Sequence, residues 1–314
     1  MADARPTPQS SDTRRGLAFG LAAYGMWGLV PIYFKAVASV PALEVLAHRI
    51  VWSVAMLVPL LVWRRRWPEV SSVLADRRTL GLLLLTTGLV AINWYIFIVA
   101  VETGRVLQAS LGYFINPLVN IFFGRVLLGE VLSRSAATAV AIAAIGVTAQ
   151  VVMIGSLPVI ALALAVSFGL YGLLRKIARV GAVVGLTVET SLLVPLALGY
   201  LVWLHRAGGL SFGAGSPGMD VLLIAGGLVT ALPLLCFTSA ARLLPLSTMG
   251  FLQYLAPSGQ FLLAVLAYDE PLTAAHIVTF GCIWTALAVF SRDQLRAARR
   301  RVSRVAAPVD GASE

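Results

Sequence analysis

The chain has 314 residues, of which 59% are hydrophobic and 12% charged, with a formal net charge of +10 and a mean hydropathy of +0.89. An ordinary soluble domain is about 25% charged, so this chain lacks the polar surface that a soluble fold of its size needs. The basic excess alone would suit nucleic acid, but its placement between and after apolar runs points to anionic lipid headgroups instead, and no nucleic-acid partner is expected.

Residues 1–15 are small, polar or charged and predict a disordered tail. The first membrane span is expected at 17–36. Arg14-Arg15 before an apolar run, with Ala36-Val37-Ala38 behind it, mimics a secretory signal and its cleavage site. That run is long for a signal, Lys35 interrupts its end, and Gly25 and Gly28 return as Gly169 and Gly172, so an uncleaved span is the reading adopted. The second span, 43–63, carries His48-Arg49 about five residues, or roughly 8 Å, inside its end. The third, 79–100, brings Asn93-Trp94-Tyr95 to mid-membrane.

The fourth span, 106–128, holds the densest polar set: Ser110, Gly112, Tyr113, Asn116, Pro117 and Asn120. Apart from the glycine these recur at spacings of three or four, hence on one helix face. Pro117 lacks an amide hydrogen and frees the carbonyl of Tyr113, so a kink with a polar backbone is expected. Between Arg134 and Arg175 forty residues pass without an Asp, Glu, Lys or Arg. One helix of that length would measure roughly 60 Å, twice the ~30 Å hydrocarbon thickness. Two spans, 135–153 and 157–175, turned at Gly155-Ser156-Leu157-Pro158, are therefore expected. The seventh span, 183–204, carries Glu189, and the eighth covers 219–241. The ninth, 247–268, repeats the polar proline face with Ser247, Gly250, Gln253, Tyr254, Pro257 and Gln260, again with a kink at the proline. The tenth covers 272–291, and residues 292–314 form a basic tail, expected disordered.

The recurrences keep a common order. Pro117, Asn120 and Glu130 return as Pro257, Gln260 and Glu270, each 140 positions later, and Gly88-Leu89-Val90 returns as Gly227-Leu228-Val229 at 139. Residues 16–154 and 155–291 then read as two copies of a five-span unit. An odd span number inverts the second copy, a common construction among secondary transporters. The expected fold is an all-α integral membrane protein of ten helices in a 5+5 inverted repeat. With the N-terminus inside, twenty of the twenty-four Lys and Arg fall on inner segments, and Lys35, Arg105 and Arg206 fall outside. The positive-inside rule then puts both termini in the cytoplasm.

Ionisable groups within a bilayer are costly, so each is a functional hypothesis. His48 and Glu189 correspond at an offset of 141; on one reading they and Arg49 line a solute path, with His48 or Glu189 taking protons. On the other, Arg49 snorkels to headgroups and Glu189 pairs with a basic residue to lock two helices. Asn93 and Trp94 read either as interhelical glue or as a face for a solute. For the proline helices the solute path is preferred, because the polarity occurs in both copies. Gly25, Gly28, Gly169 and Gly172 suit close helix approach. Trp63, Trp67 and Trp203 suit interfacial anchoring, and Cys236 and Cys282 suit small buried positions. Glu130 and Glu270 read as helix-end acids facing basic neighbours. A Gly-Lys-Ser/Thr phosphate loop, a Gly-x-Ser-x-Gly elbow and a His-Glu-x-x-His pair are all missing from the sequence. His48, His205 and His276 lack metal-ligand spacing. No cofactor, metal site or enzyme is expected.

Leu111-Gly112-Tyr113-Phe114-Ile115-Asn116-Pro117-Leu118, followed by Gly129-Glu130, resembles the fourth span of EamA-type members of the drug/metabolite transporter superfamily. Tyr24 to Gly28, Glu44 to Trp52, Gly155 to Pro158 and Pro233 to Thr238 extend the likeness over about residues 15–291 and make it most similar to the RarD group, described as chloramphenicol-sensitive proteins. The resemblance implies a ten-helix carrier of a bacterial inner membrane and a link to drug resistance; family habit favours export. The expected function is secondary transport of a small organic solute by alternating access, with proton coupling open. A non-transporting scaffold or a lipid-handling enzyme is the alternative.

Overall fold

The computed structural model describes residues 10–129, 134–178, 180–214, 216–244, 248–249 and 252–306. Every regular element among them is helical: α1 (Ser10–Ala36), α2 (Ala42–Trp63), α3 (Trp67–Ala75), α4 (Arg77–Glu102), α5 (Val106–Leu128), α6 (Arg134–Ile154), α7 (Val159–Ala178), α8 (Ala182–Arg206), α9 (Pro217–Leu243), α10 (Leu255–Leu262) with a π-helical turn at Leu263–Ala267, and α11 (Ala274–Ala306). Eight of these, namely α1, α2, α4, α5, α6, α8, α9 and α11, contain stretches long and apolar enough to cross a bilayer. Val159–Arg175 and Leu255–Ala267 are shorter apolar helices. The chain is thus an all-α integral membrane protein, as backbone pairing in lipid requires.

The turns follow local chemistry. Gly155 ends α6 at φ +75, and its N–H reaches Val151 O at 2.8 Å, a left-handed conformation natural to glycine. The next helix opens directly after Pro158, as the charge-free forty residues predicted. Asp76 caps α4 by accepting from Arg78 N at 3.1 Å.

Four expectations are corrected. The segment 64–78 is not only a connector: α3 forms there, with Pro68 in its first turn and Val70 and Val73 inserted in a cluster with Leu61, Leu83, Val184 and Val188. Its apolar residues recur at helical spacing on one side, so it forms as an amphipathic element among charges. The ninth span is not one helix: turn residues Gln253 and Tyr254 precede α10, and Pro257 lies in that helix's first turn, where its missing amide hydrogen is tolerated. Pro257 therefore starts a helix, whereas Pro117 lies inside α5. Helix α1 begins at Ser10, within the expected disordered tail, and α11 continues to Ala306; the Ala, Arg, Gln and Leu after Arg292 are good helix formers. Glu130, Ser247 and Gly250 lie outside the described residues.

The chain divides into two compact units, Met1–Phe123 with Pro158–Pro271, and Gly124–Leu157 with Leu272–Glu314. In the second, α6 pairs with α11. Gly146 lies against Cys282, and Thr279 Oγ1 donates to Gly146 O at 3.2 Å. In the first, α1 packs on α9 and α10, α7 on α4, and α2 on both α8 and α9, while α4 also meets α8. In lipid such packing rests on close backbone approach rather than on the hydrophobic effect. Gly28 meets the backbone of Ala256 and Gly259, Gly169 meets Val119, Asn120 and Phe123, and Gly112 leaves no room for a Cβ against Ala161 O, 2.7 Å away. Gly25 and Gly172 have nothing within 4 Å of a Cβ position, so close approach explains Gly28 and Gly169 but not their partners in the motif. Trp63, Trp67 and Trp203 are exposed at 79%, 51% and 61%, as interfacial anchors should be.

Candidate transport site

Helices α4, α5 and α7 meet in a chain of amides. Gly112 lets α5 lie against the backbone of α7, and Asn116, one turn further on, donates Nδ2 to Ala165 O at 3.1 Å. Asn93 on α4 donates Nδ2 to Leu164 O at 3.1 Å and to Ser167 Oγ at 2.9 Å, and its Oδ1 accepts from Tyr113 Oη at 3.1 Å. Asn120 Nδ2 donates to Asn116 Oδ1 at 3.2 Å, and Asn120 itself is exposed. Asn93 with Tyr113, and Asn116 with Asn120, thus form two hydrogen-bonded pairs that both anchor on the α7 backbone. Trp94 is half-buried, while Tyr95 is 41% exposed, turned further round the helix by the step of about 100° per residue.

On the other proline segment, Gln260 is buried, donates Nε2 to Trp27 O at 3.1 Å, and leaves its Oε1 without a partner. Gln253 and Tyr254 are half-buried before α10. The two proline segments touch where Ser110 Oγ donates to Pro257 O at 2.8 Å. Glu270 corrects the expectation of a basic neighbour: its carboxylate accepts from Val106 N at 2.7 Å and Leu107 N at 2.8 Å, closing the N-terminus of α5. The exposed N–H groups and dipole at a helix start attract a carboxylate without any cation.

The three candidate charges fall into three environments. Glu189 is fully buried on α8. Its Oε1 accepts from Thr86 Oγ1 at 2.6 Å, its Oε2 from Tyr171 Oη at 3.2 Å, and Arg175 Nε stands 3.7 Å away. That geometry matches a paired acid locking α4, α7 and α8. His48 lies on α2, its Nε2 3.9 Å from Glu44 Oε1 and without a hydrogen bond; its ring stacks at 4.9 Å on Phe212, from the loop between α8 and α9. Glu44, fully buried, accepts from Ser211 N at 2.8 Å, Ser211 Oγ at 2.9 Å and Phe212 N at 3.3 Å. Arg49, one residue after His48, is 8% exposed and does not snorkel. Its Nε donates to Thr230 Oγ1 at 2.6 Å, and its guanidinium lies 4.2 Å from the Trp94 ring centroid and 5.6 Å from that of Phe34.

Rings continue from that point: Phe34 meets Phe97, Phe97 meets Tyr113, Tyr113 meets Phe168 and Phe168 meets Tyr171, each at 5.8–5.9 Å. They run from the side of Arg49 to the hydroxyl that Glu189 holds. Sequence reasoning did not single out Glu44, Arg175, Thr230 or Phe212 as site residues. Glu44 carried a signal, an acid in the first turn of an apolar helix. Arg175 looked like a loop charge at a span end, and Thr230 and Phe212 carried no signal at all.

Residues 14–151 match the model of the family described as the EamA-like transporter family. The chain is 49% identical over 291 residues to an "uncharacterized transporter" of Vibrio cholerae, covering 93% of this chain and 96% of that one. It is 45% identical over 291 residues to protein RarD of Escherichia coli K12, covering 93% and 98%. The chain belongs to the EamA-like transporter family, in its RarD group. A relative in Bacillus subtilis, the uncharacterized transporter YojE, is 42% identical over 292 residues, covering 92% and 97%. A solved crystal structure only 20% identical matches this RarD-group chain over 90% of its length, and over 96% of that chain, with a TM-score of 0.56, so the helical bundle is shared well beyond close relatives. A multi-pass membrane transporter of this group is what the buried amides, acids and rings described above belong to.

Proposed function

We propose that this chain is a secondary carrier of a small organic solute, working by alternating access between two inverted halves, residues 16–154 and 155–291, with tails at 1–15 and 292–314. The supporting observation is reciprocal packing in the larger unit. Helix α1 meets α9 and α10, while its counterpart α7 meets α4 and α5; α2 meets α9, while its counterpart α8 meets α4; and α2 meets α8 directly. Exchanging the halves leaves this pattern unchanged, and a pseudo-twofold bundle offers two related packings of similar energy. The path runs among Asn93, Trp94, Tyr113, Asn116, Asn120, Gln253, Tyr254 and Gln260, with His48, Arg49 and Glu189 as its charged groups.

The distribution of basic residues supports both termini lying in the cytoplasm of a bacterial inner membrane, against anionic headgroups. In that orientation Glu44 with its loop closes the outer end and Glu189 with Arg175 closes the inner end. His48 and Glu189 are the groups to test for proton coupling, and export is the direction favoured. The contact of Ser110 with Pro257 also suits a scaffold whose polar faces are permanently closed; a carrier must open it.

The deciding experiment is a solute screen in proteoliposomes with and without a pH gradient. Accumulation that follows a solute or proton gradient is expected. If nothing moves under any gradient, the carrier reading fails and the scaffold stands. Cysteine labelling should place the first and sixth spans in opposite directions; parallel labelling would remove the inverted architecture. If His48→Gln and Glu189→Gln leave a pH-dependent flux unchanged, neither residue couples protons.

A further inference from the structure

The carrier reading gives Arg49 no countercharge. Among the described residues no carboxylate lies within ion-pair distance of it, although Glu189 and His48 both have an ionic neighbour. A buried cation without an anion is among the least favourable arrangements a bundle can hold, and paired or hydrogen-bonded charge is the rule. Arg49 is nonetheless built in deliberately. Gly226 brings α9 close to Arg49 Cα, and Gly227 lies against the backbone of Trp52, so no Cβ fits there. One turn beyond Gly226, Thr230 commits its hydroxyl proton to Gly226 O at 2.9 Å, which leaves an oxygen lone pair for Arg49 Nε at 2.6 Å.

That bond turns the guanidinium so that Nε is satisfied and the two Nη groups, among the described contacts, have no acceptor. The neighbouring hydroxyls donate elsewhere, Tyr33 Oη to Leu222 O, Ser53 Oγ to the carbonyl of Arg49 and Tyr113 Oη to Asn93, and among the described contacts none of their oxygens accepts from an Nη group. Ring faces border the guanidinium, Trp94 and Phe34 directly, with Phe97 behind Phe34. A planar two-nitrogen fork with one edge held and the other unoccupied matches an oxyanion in both charge and shape.

We infer that Arg49 is the anion-binding residue of the solute site, and that the carried class is small organic acids whose carboxylate or phosphate meets the free Nη edge while an apolar body lies on Trp94 and Phe34. The inference rests on the carrier reading for the word "carried" but not for the site itself. The solute supplies the countercharge that the bundle lacks. A loaded site is then better satisfied than an empty one, which is how a solute comes to favour a particular packing of the helices.

The test uses the purified full-length chain in a maltoside detergent, with thermal unfolding read against phenylacetate, phenyl phosphate, phenylacetamide and phenethylamine. The two acids should raise the melting temperature, and the amide and amine should not. Arg49→Gln should weaken the acids roughly ten- to hundredfold, as loss of a charge-assisted bond does, and Arg49→Lys should retain part of the effect. Because Arg49→Gln removes an unpaired charge, its ligand-free melting temperature should not fall; a collapse there that Arg49→Lys rescues without restoring acid binding would assign Arg49 a structural role and overturn the site. Equal shifts from acid and amide, or an acid shift that survives Arg49→Gln, would overturn it too. A shift obtained only with added phosphatidylglycerol would reassign the site to a lipid phosphate. Flux in proteoliposomes separates the two claims. Acids that bind without crossing would keep the site and sink the carrier, whereas neutral solutes that cross equally well in Arg49→Gln would keep the carrier and sink the site.

Discussion

Glu44 and Glu189 are both fully buried acids near the start of a helix, on α2 and α8, yet they are satisfied in opposite ways. Glu44 is held by two backbone N–H groups and a hydroxyl of one loop. Glu189 is held by side chains of α4 and α7, two hydroxyls and a guanidinium. At the position where the first half has Glu44, the second has Gly185, 141 residues later. The absent side chain there is the space that the Arg175 guanidinium occupies. Near-symmetry in backbone packing therefore coexists with different chemistry at the two acids: one is held by a loop, the other by neighbouring helices. A charge pair and an amide cradle differ most in what remains when the acid is removed, and that difference ranks the following outcomes.

The largest effect should come from Glu189→Ala. It leaves Arg175, with a side chain only 12% exposed and an unpartnered Nη1, without its acid. Removing one partner of a buried pair costs roughly 3–5 kcal/mol, and the guanidinium's nearness to the end of α7 argues for the lower part of that range. Thermal unfolding in detergent reads it. The double variant Glu189→Ala with Arg175→Met should recover most of the loss. If it melts as low as the single variant, the pairing is not what stabilises this end. Gly185→Ala should act in the same direction by displacing the guanidinium.

Glu270→Ala should follow. It uncovers the amides of Val106 and Leu107, residues 0% and 3% exposed, and an orphaned buried donor costs about 1–3 kcal/mol. Glu270→Gln keeps one acceptor oxygen and should retain part of the stability. Equal loss in both variants would show that charge, rather than acceptor geometry, holds the start of α5.

These contrasts also show what was legible beforehand. Spans were readable because twenty apolar residues have few other uses, and Arg49, His48, Glu189 and Asn93 stood out because their neighbours are apolar. Partners were not readable. Glu44 meets Ser211 across 167 positions, and Glu270 meets Val106 across 164. In both cases the donors include main-chain amides, which leave no trace in residue identity. The repeat was read from Pro117 and Pro257, yet one lies inside α5 and the other opens α10; proline reports a missing donor, not where a helix begins. Helix α3 was missed because its charged flanks outweighed Val70 and Val73, the two residues that dock it.

Glu44→Ala should cost less in overall stability than Glu270→Ala, because Ser211 and Phe212 are only half-buried and their amides can reach water once the loop lifts. Its signature should instead be local. Cleavage within Gly208–Pro217 should speed up, and a cysteine at Phe212 should label faster, with little change in melting temperature. Unchanged cleavage would mean that the ring stack on His48 and Trp52, rather than the carboxylate, pins the loop.

The smallest effect isolates amide capping from burial. Asp76 stands outside the apolar spans at the start of α4, where the Thr79 hydroxyl and the Arg78 N–H hold its carboxyl below the usual aspartate range. A depressed folded value means that the ionised cap contributes fully above the unfolded value, roughly pH 4, and that its contribution fades as pH falls through the lower folded value. The melting gap between parent and Asp76→Ala should therefore be small and constant from neutral pH down to about 5, then close under more acidic conditions. Asp76→Asn keeps an acceptor without a titrating proton, so its gap from Asp76→Ala should be independent of pH. A parent gap that widened on acidification would mean that the Thr79 and Arg78 contacts do not favour the ionised form. Amide capping could then no longer explain how Glu270 is held in the bundle by main-chain N–H groups alone.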